Sequence, residues 1–216
     1  MLVEYYIDSF LNDQETKETL KSLHESDFVN SILINEHQYR LAKIFFHPNK
    51  INIHLDFPLG LSSIAIRLKK IEEISKKSGI ISIVAPSYLL VNRKYDKIRR
   101  EISELKDIIP EETSIRYILD YRKYNHNILV KFCSILQEYG LDTIYPSSAF
   151  FLDNIFDNII ASKYLQQKSG IKTIFNGDIW TDEHINLIIK SECKYISVKH
   201  MQSLNLLKEH VNNAKQ

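Results

Sequence analysis

Apolar residues recur along this chain in two alternating rhythms. Short runs rich in β-branched and aromatic residues, such as INIHLDF, IISIVA and LDTIY, alternate with longer stretches whose apolar positions repeat every three to four residues. The short runs predict strands over 3–7, 28–34, 51–57, 80–85, 114–119, 142–145, 171–175 and 194–198. The stripes between them predict helices over 15–25, 37–46, 62–77, 92–106, 124–139, 153–168, 181–191 and 201–213.

Glycine and proline punctuate this alternation. Three of the five glycines share one context: Gly79 in KKSG, Gly140 in QEYG and Gly170 in QKSG each follow an amphipathic stretch and precede a β-branched run. That is where a left-handed residue ends a helix, so all three are expected in that conformation. Pro58, Pro86 and Pro146 stand at the other end of the repeat, where a residue without an N–H stops a strand. Eight strands alternating with eight helices fit either a doubly wound sheet or a closed barrel. No strand is followed by a G-x-G-x-x-G turn or a Walker loop, which favours a single (β/α)8 TIM barrel spanning 1–216.

Composition narrows the function classes. With 216 residues and 44% hydrophobic content, the chain can bury one sizeable core. Its 28 basic and 27 acidic side chains leave a formal charge of +1, so no net field draws in nucleic acid or an acidic membrane. The run RKYDKIRREISELK reads as the solvated face of a helix, and YRKYNH is too short to argue for RNA binding. No apolar run approaches the ~18 residues of a membrane span, and the opening MLVEYYIDSF lacks a leader's apolar stretch, so a cytoplasmic location is expected. Cys133 and Cys193 read as reduced packing residues. His54 and Trp180 have no partner at metal-ligand spacing, and His54 is expected as a satisfied core or rim residue. Neither a metal nor a cofactor is implied.

In a (β/α)8 barrel the ligand site is built at the carboxyl ends of the strands. That rule selects Asp8, Asn35, Glu36, Asp56, Asp120, Tyr145, Lys172, Asn176, Asp178, Lys199 and His200. Asp56 and Asp120 fit helix capping as well as they fit substrate binding.

Several segments, in order, resemble the deoxyribose-phosphate aldolases. INIHLDFPLG followed by Ser62-Ser63 is similar to that family's third strand and its FP-L/H-G turn. Ile7-Asp8 with DQET resembles the first strand and the start of its helix, and INEHQYRLAKIFF the segment preceding the third strand. SIRYILDY resembles the KVIIET strand, with Arg116 at its lysine and Asp120 at its glutamate. LDTIYPSSAFF lies where the family has D-F-I-K-T-S-T-G, and GIKTIFNGDI where it has G-V-K-A-S-G-G.

The resemblance implies a class I carbon–carbon lyase framework acting on a small, phosphorylated aldehyde, and it also exposes departures. The family's sixth-strand lysine attacks a carbonyl to form a Schiff base. Tyr145 stands there, and a phenol forms no imine. The fourth-strand acid/base aspartate is replaced by Val84 or an apolar neighbour. Lys172 matches the seventh-strand lysine and is expected to point into the interior with a lowered pKa, as a nucleophile or as a structural cation paired with Asp8, Asp120 or Asp178. Asp8 matches a supporting aspartate. In the family's phosphate cradle Gly177 has a counterpart, Ala149 replaces a glycine, and Asn176, Ser197 and Lys199 complete the candidate binding set.

Two functions follow. One is an aldolase-type lyase, with homo-oligomeric assembly left open, in which Lys172 forms the imine or stabilises negative charge, Tyr145 shuttles a proton, and Asp8 and Asp120 orient a small sugar or aldehyde. The other is a catalytically silent barrel serving as a ligand sensor or assembly subunit.

Overall fold

The computed structural model describes residues 2–151, 153–191, 193 and 195–213. Eight strands, β1 (Leu2–Tyr6), β2 (Ser31–Ile34), β3 (Ile51–Leu55), β4 (Ile80–Val84), β5 (Ser114–Ile118), β6 (Thr143–Tyr145), β7 (Lys172–Asn176) and β8 (Tyr195–Val198), close into one parallel barrel in sequence order. The ring is sealed where Leu2 to Tyr5 lie opposite Tyr195 to Val198. Around it run α1 (Asp13–His24), α2 (Tyr39–Phe45), α3 (Ile64–Ser75), α4 (Ser87–Val91), α5 (Tyr95–Ile108), α6 (His126–Glu138), α7 (Ile155–Ser169), α8 (Asp182–Lys190) and α9 (Met201–Asn213). Among the described residues, no helix is long and apolar enough to cross a membrane.

The chain turns from strand to helix at polar caps. Asn12, Ser63, Asn125, Asn154 and Thr181 each accept backbone N–H groups of the helix they precede, and Asn12 forms a reciprocal capping box with Glu15. Strand residues of one parity, among them Val3, Ile32, Ile53, Ile81, Ile83 and Ile196, join helical Leu20, Ile71, Ile102, Phe132 and Ile188 in the main core. Each such aliphatic side chain, taken from water, contributes roughly 1.5–3 kcal/mol.

Three details differ from the sequence reading. β2 starts at Ser31 rather than 28, and a short extra helix, α4, follows Pro86. Gly140 and Gly170 adopt positive φ, at 74° and 70°, but Gly79 does not. Gly79 is small for a steric reason, since a Cβ there would stand 2.9 Å from the Asn49 backbone. The expected eighth strand began at residue 194, which lies outside the described residues.

The FPLG turn after β3 has a local cause. Gly60 sits at φ 66°, and a Cβ on it would meet the Ala85 carbonyl oxygen at 2.2 Å. The Gly60 carbonyl in turn accepts from the Ser87 N–H at 3.1 Å, lacing the β3 and β4 loops together.

Candidate functional site

The barrel interior is divided into a polar layer and an apolar one. Glu4 on β1 is 4% exposed and accepts four hydrogen bonds: from Ser31 (3.1 Å), Asn52 (3.0 Å), Arg116 (3.1 Å) and the Tyr145 hydroxyl (2.6 Å). Asn52 and Arg116 also donate to the Tyr145 oxygen, at 2.9 and 3.0 Å, and Ser82 donates to the Asn52 carbonyl oxygen at 2.9 Å. Burial, then the Glu4 carboxylate, push the Tyr145 pKa upward, so the phenol stays protonated and donates. Burial opposes the charge on Arg116, but Tyr145 and Glu4 outweigh it and hold the guanidinium protonated.

Above this layer the ring of Tyr145, wholly buried, packs with Val84, Ile118 and Ile174 in a cluster covered by Phe57. Phe57 meets His54 at 4.4 Å, Tyr6 at 6.0 Å and Phe150 at 5.7 Å, all edge to face. These aromatic rings roof the Tyr145 cluster, each pair adding about 0.5–1.5 kcal/mol beyond its buried area. Tyr145 therefore fills volume and joins a hydrogen-bonded layer. Removing its hydroxyl would take from Glu4 its shortest donor. Tyr145→Phe is expected to cost about 1.5–3 kcal/mol, seen as a lower urea midpoint with an unchanged m-value; an unaltered midpoint would contradict the network.

Lys172 does not join this interior. It opens β7 at the amino end of the barrel, exposes 62% of its side chain and is ion-paired with Asp142. Its pKa is raised by that carboxylate, not lowered by burial. The expectation of an interior, activated amine is thus corrected, and so are its predicted partners. A first residue of a strand projects beyond the ring, and the inward position of β7 beside Tyr145 belongs to Ile174.

The other strand-end residues are held in local pairs. Asp120 caps the turn after β5, pairs with Arg122 at 2.9 Å and accepts from Ser148 at 3.1 Å. Asp56, at φ 60°, accepts from Ser62 and pairs with buried Arg67 at 2.7 Å. Asp8 pairs with Lys199 at 3.4 Å, His200 lies 3.6 Å from Asp178, and Glu36 binds Lys70 and Lys77. The Asn35 N–H donates to the Gln38 side-chain oxygen at 3.0 Å, and the Gln38 N–H to the Asn35 backbone carbonyl at 3.1 Å. Asn176 donates to the Ser147 carbonyl at 3.2 Å, and the Gly177 N–H to the Ser197 carbonyl at 3.2 Å. The Gly177 N–H is therefore engaged rather than free to cradle an anion.

A cleft of about 600 Å³ opens over the loops that follow β6, β7 and β8. Phe150, Phe151, Phe156 and Trp180 form aromatic walls, while Asp153, Asn158, Asp178, His184 and Lys199 supply polar groups. It brings together Gly177, Asp178 and Lys199 from the predicted residues; Asp120, Tyr145 and Lys172 lie outside its lining. The Ser197 hydroxyl is fully buried and has no hydrogen-bond partner among the described residues. Among the described residues no group of three or more His, Cys, Asp or Glu could hold a metal.

No family model matches the chain. Two curated relatives do. The deoxyribose-phosphate aldolase of Aquifex aeolicus (strain VF5) is 27% identical over 157 residues, covering 68% of this chain and 69% of its own. That of Clostridium botulinum (strain Alaska E43 / Type E3) is 25% identical over 165 residues, covering 74% and 72%. The chain is a distant homologue of the deoxyribose-phosphate aldolases. The fold agrees: the solved structure of QR15, an aldolase, superposes with a TM-score of 0.82 at 20% identity, covering 97% of this chain and 96% of that one.

In this aldolase homologue the residues that sequence reading missed are Glu4, Asn52 and Ser82. A signal was present, for Glu4 and Ser82 are each the lone polar residue of an apolar or aromatic strand and Asn52 shares β3 only with His54, all on the parity that faces the lumen.

Proposed function

We propose that this aldolase-related barrel binds a small polar ligand in the cleft over β6, β7 and β8 without Schiff-base chemistry, as a sensor or a subunit of an assembly. The observation that carries the reading is the buried cluster of Tyr145, Val84, Ile118 and Ile174 beneath Phe57. The resemblance puts the family's imine-forming lysine at Tyr145 and its acid/base aspartate at or near Val84, and the inward residue of β7 beside them is Ile174. An imine requires an amine and a cavity that admits a carbonyl. This cluster offers neither, and loss of cooperating groups removes most of a reaction's rate.

The cleft supports the binding half of the reading. Its aromatic walls suit the apolar face of a sugar or short aldehyde, with Asp153, Asn158 and His184 near the hydroxyls. Lys199 is already paired with Asp8, and Gly177 lends its N–H to Ser197, so a phosphate would find little ready-made charge.

The test is borohydride reduction of the protein with acetaldehyde, glyceraldehyde 3-phosphate or deoxyribose 5-phosphate, followed by intact mass measurement. No lysine adduct and no aldol turnover are expected. An adduct on one lysine, with turnover abolished by replacing it, would overturn the proposal. A thermal-shift series with sugars and sugar phosphates examines binding separately, because a ligand at about 100 times its Kd adds about 2.7 kcal/mol to the folded state.

A further inference from the structure

The opposite end of the barrel holds a second cavity. About 140 Å³ in volume, it lies beneath the polar layer at the amino ends of the strands, where Leu2, Ser31, Ile80, Arg116, Ile174 and Tyr195 are among the lining residues. It is separate from the cleft at the carboxyl ends and shares none of its lining.

We propose that this cavity binds a small carboxylate anion on the free edge of Arg116. Only Nη1 of that guanidinium is engaged among the described residues, donating to Glu4 and to Tyr145. Its Nε and Nη2 atoms have no partner there, yet they are not among the sealed, unsatisfied polar atoms. The side chain keeps 13% exposure, and the cavity is where that exposure lies. The Nε/Nη2 edge is the fork that grips a carboxylate through two parallel N–H···O bonds. A guanidinium held this deep, with that edge left open, is a preformed anion receptor.

Three features select the ligand. Glu4, which also lines the cavity, pairs with Arg116 and accepts from three neutral donors, so the pair is close to neutral and an anion is held by the Nε/Nη2 hydrogen bonds rather than by net charge. One guanidinium beside one carboxylate suits a monoanion and repels a dianion. Leu2, Ile80 and Ile174 present apolar surface for a short hydrocarbon body, beside polar Asn30, Ser31 and Asn49. At about 30 Å³ of liquid volume per water, the space holds about four or five non-hydrogen atoms, the size of a two- or three-carbon acid.

The experiment titrates the isotopically labelled full chain with sodium propionate, against sodium chloride at equal ionic strength and with inorganic phosphate as a third arm. Saturable shifts of the Val3, Ile80 and Tyr195 amides are expected, with the Trp180 indole signal unmoved. Arg116→Lys, which keeps the charge and loses the fork, should bind roughly tenfold more weakly. Leu2→Trp adds bulk at the rim from a side chain already 42% exposed, and should abolish the response while the amide spectrum elsewhere stays that of the folded parent. The proposal fails if propionate causes no saturable shift, if both variants bind like the parent, if phosphate binds better than propionate, or if the shifts centre on Trp180.

Discussion

An Arg67→Met variant is expected to lose about 3–5 kcal/mol of unfolding free energy. Arg67, on α3, is 1% exposed and spans three elements: Nε donates to Glu101 on α5 at 2.6 Å, and Nη1 donates to Asp56 at 2.7 Å and to the Val84 carbonyl at 2.8 Å. Burial works against its charge, but Glu101, Tyr117 and Asp56 hold it protonated. Methionine would occupy much of the volume while stranding Glu101, itself 1% exposed, as an unpaired buried carboxylate. The penalty comes from the charge left behind, so adding Glu101→Leu should recover a large part of it. Urea unfolding of parent, single and double variants checks this. A single variant within 1 kcal/mol of the parent, or a double variant no better than the single, would refute the assignment.

The second large effect is acid sensitivity through His54. Burial, reinforced by the nearby charge of His37, pushes its pKa from 6.5 down to about 3, and neither ring nitrogen has a hydrogen-bond partner among the described residues. The expected satisfied histidine is therefore an unsatisfied one, enclosed by Tyr6 and Phe57. Below pH 6.5 the unfolded chain takes up a proton that the native chain refuses. The stabilisation is complete above that pH and declines, by up to about 1.4 kcal/mol per pH unit, until the folded pKa is reached. The total is on the order of 5 kcal/mol. His54→Leu should match or exceed the parent at pH 7 and show a shallower loss between pH 6 and pH 3.5. Parallel curves for the two proteins would exclude His54 as the cause.

These two sites show where sequence reading succeeds and where it stops. Strand and helix order was legible because apolar period and the Gly140, Gly170, Pro58, Pro86 and Pro146 punctuation are local properties of the chain. Ring closure followed from what was missing, a phosphate-binding turn after any strand. Arg67 and Glu101 were not legible: each sits in a charged helical stretch, and a buried ion pair looks like two solvated residues until α3 and α5 are laid together. Lys172 failed for a related reason. Alignment with a family strand supplied its strand but not its height along the barrel, and two residues of register separate an exposed amino-end lysine from the interior Ile174. Asp8, Asp56 and Asp120 were correctly placed at strand ends, but Lys199 and Arg67, the partners of Asp8 and Asp56, are brought near only by the fold, whereas Asp120 pairs with Arg122 two residues on.

Closure of the ring carries a consequence for how this protein meets other molecules. Each of the eight described strands has a neighbour on both sides, so no row of backbone N–H and C=O groups is left open to recruit an extended peptide. Recognition must pass through side chains presented by the loops, the helices and the two mouths. Specificity in such a molecule is altered by exchanging residues at its rims while the hoop beneath them stays the same.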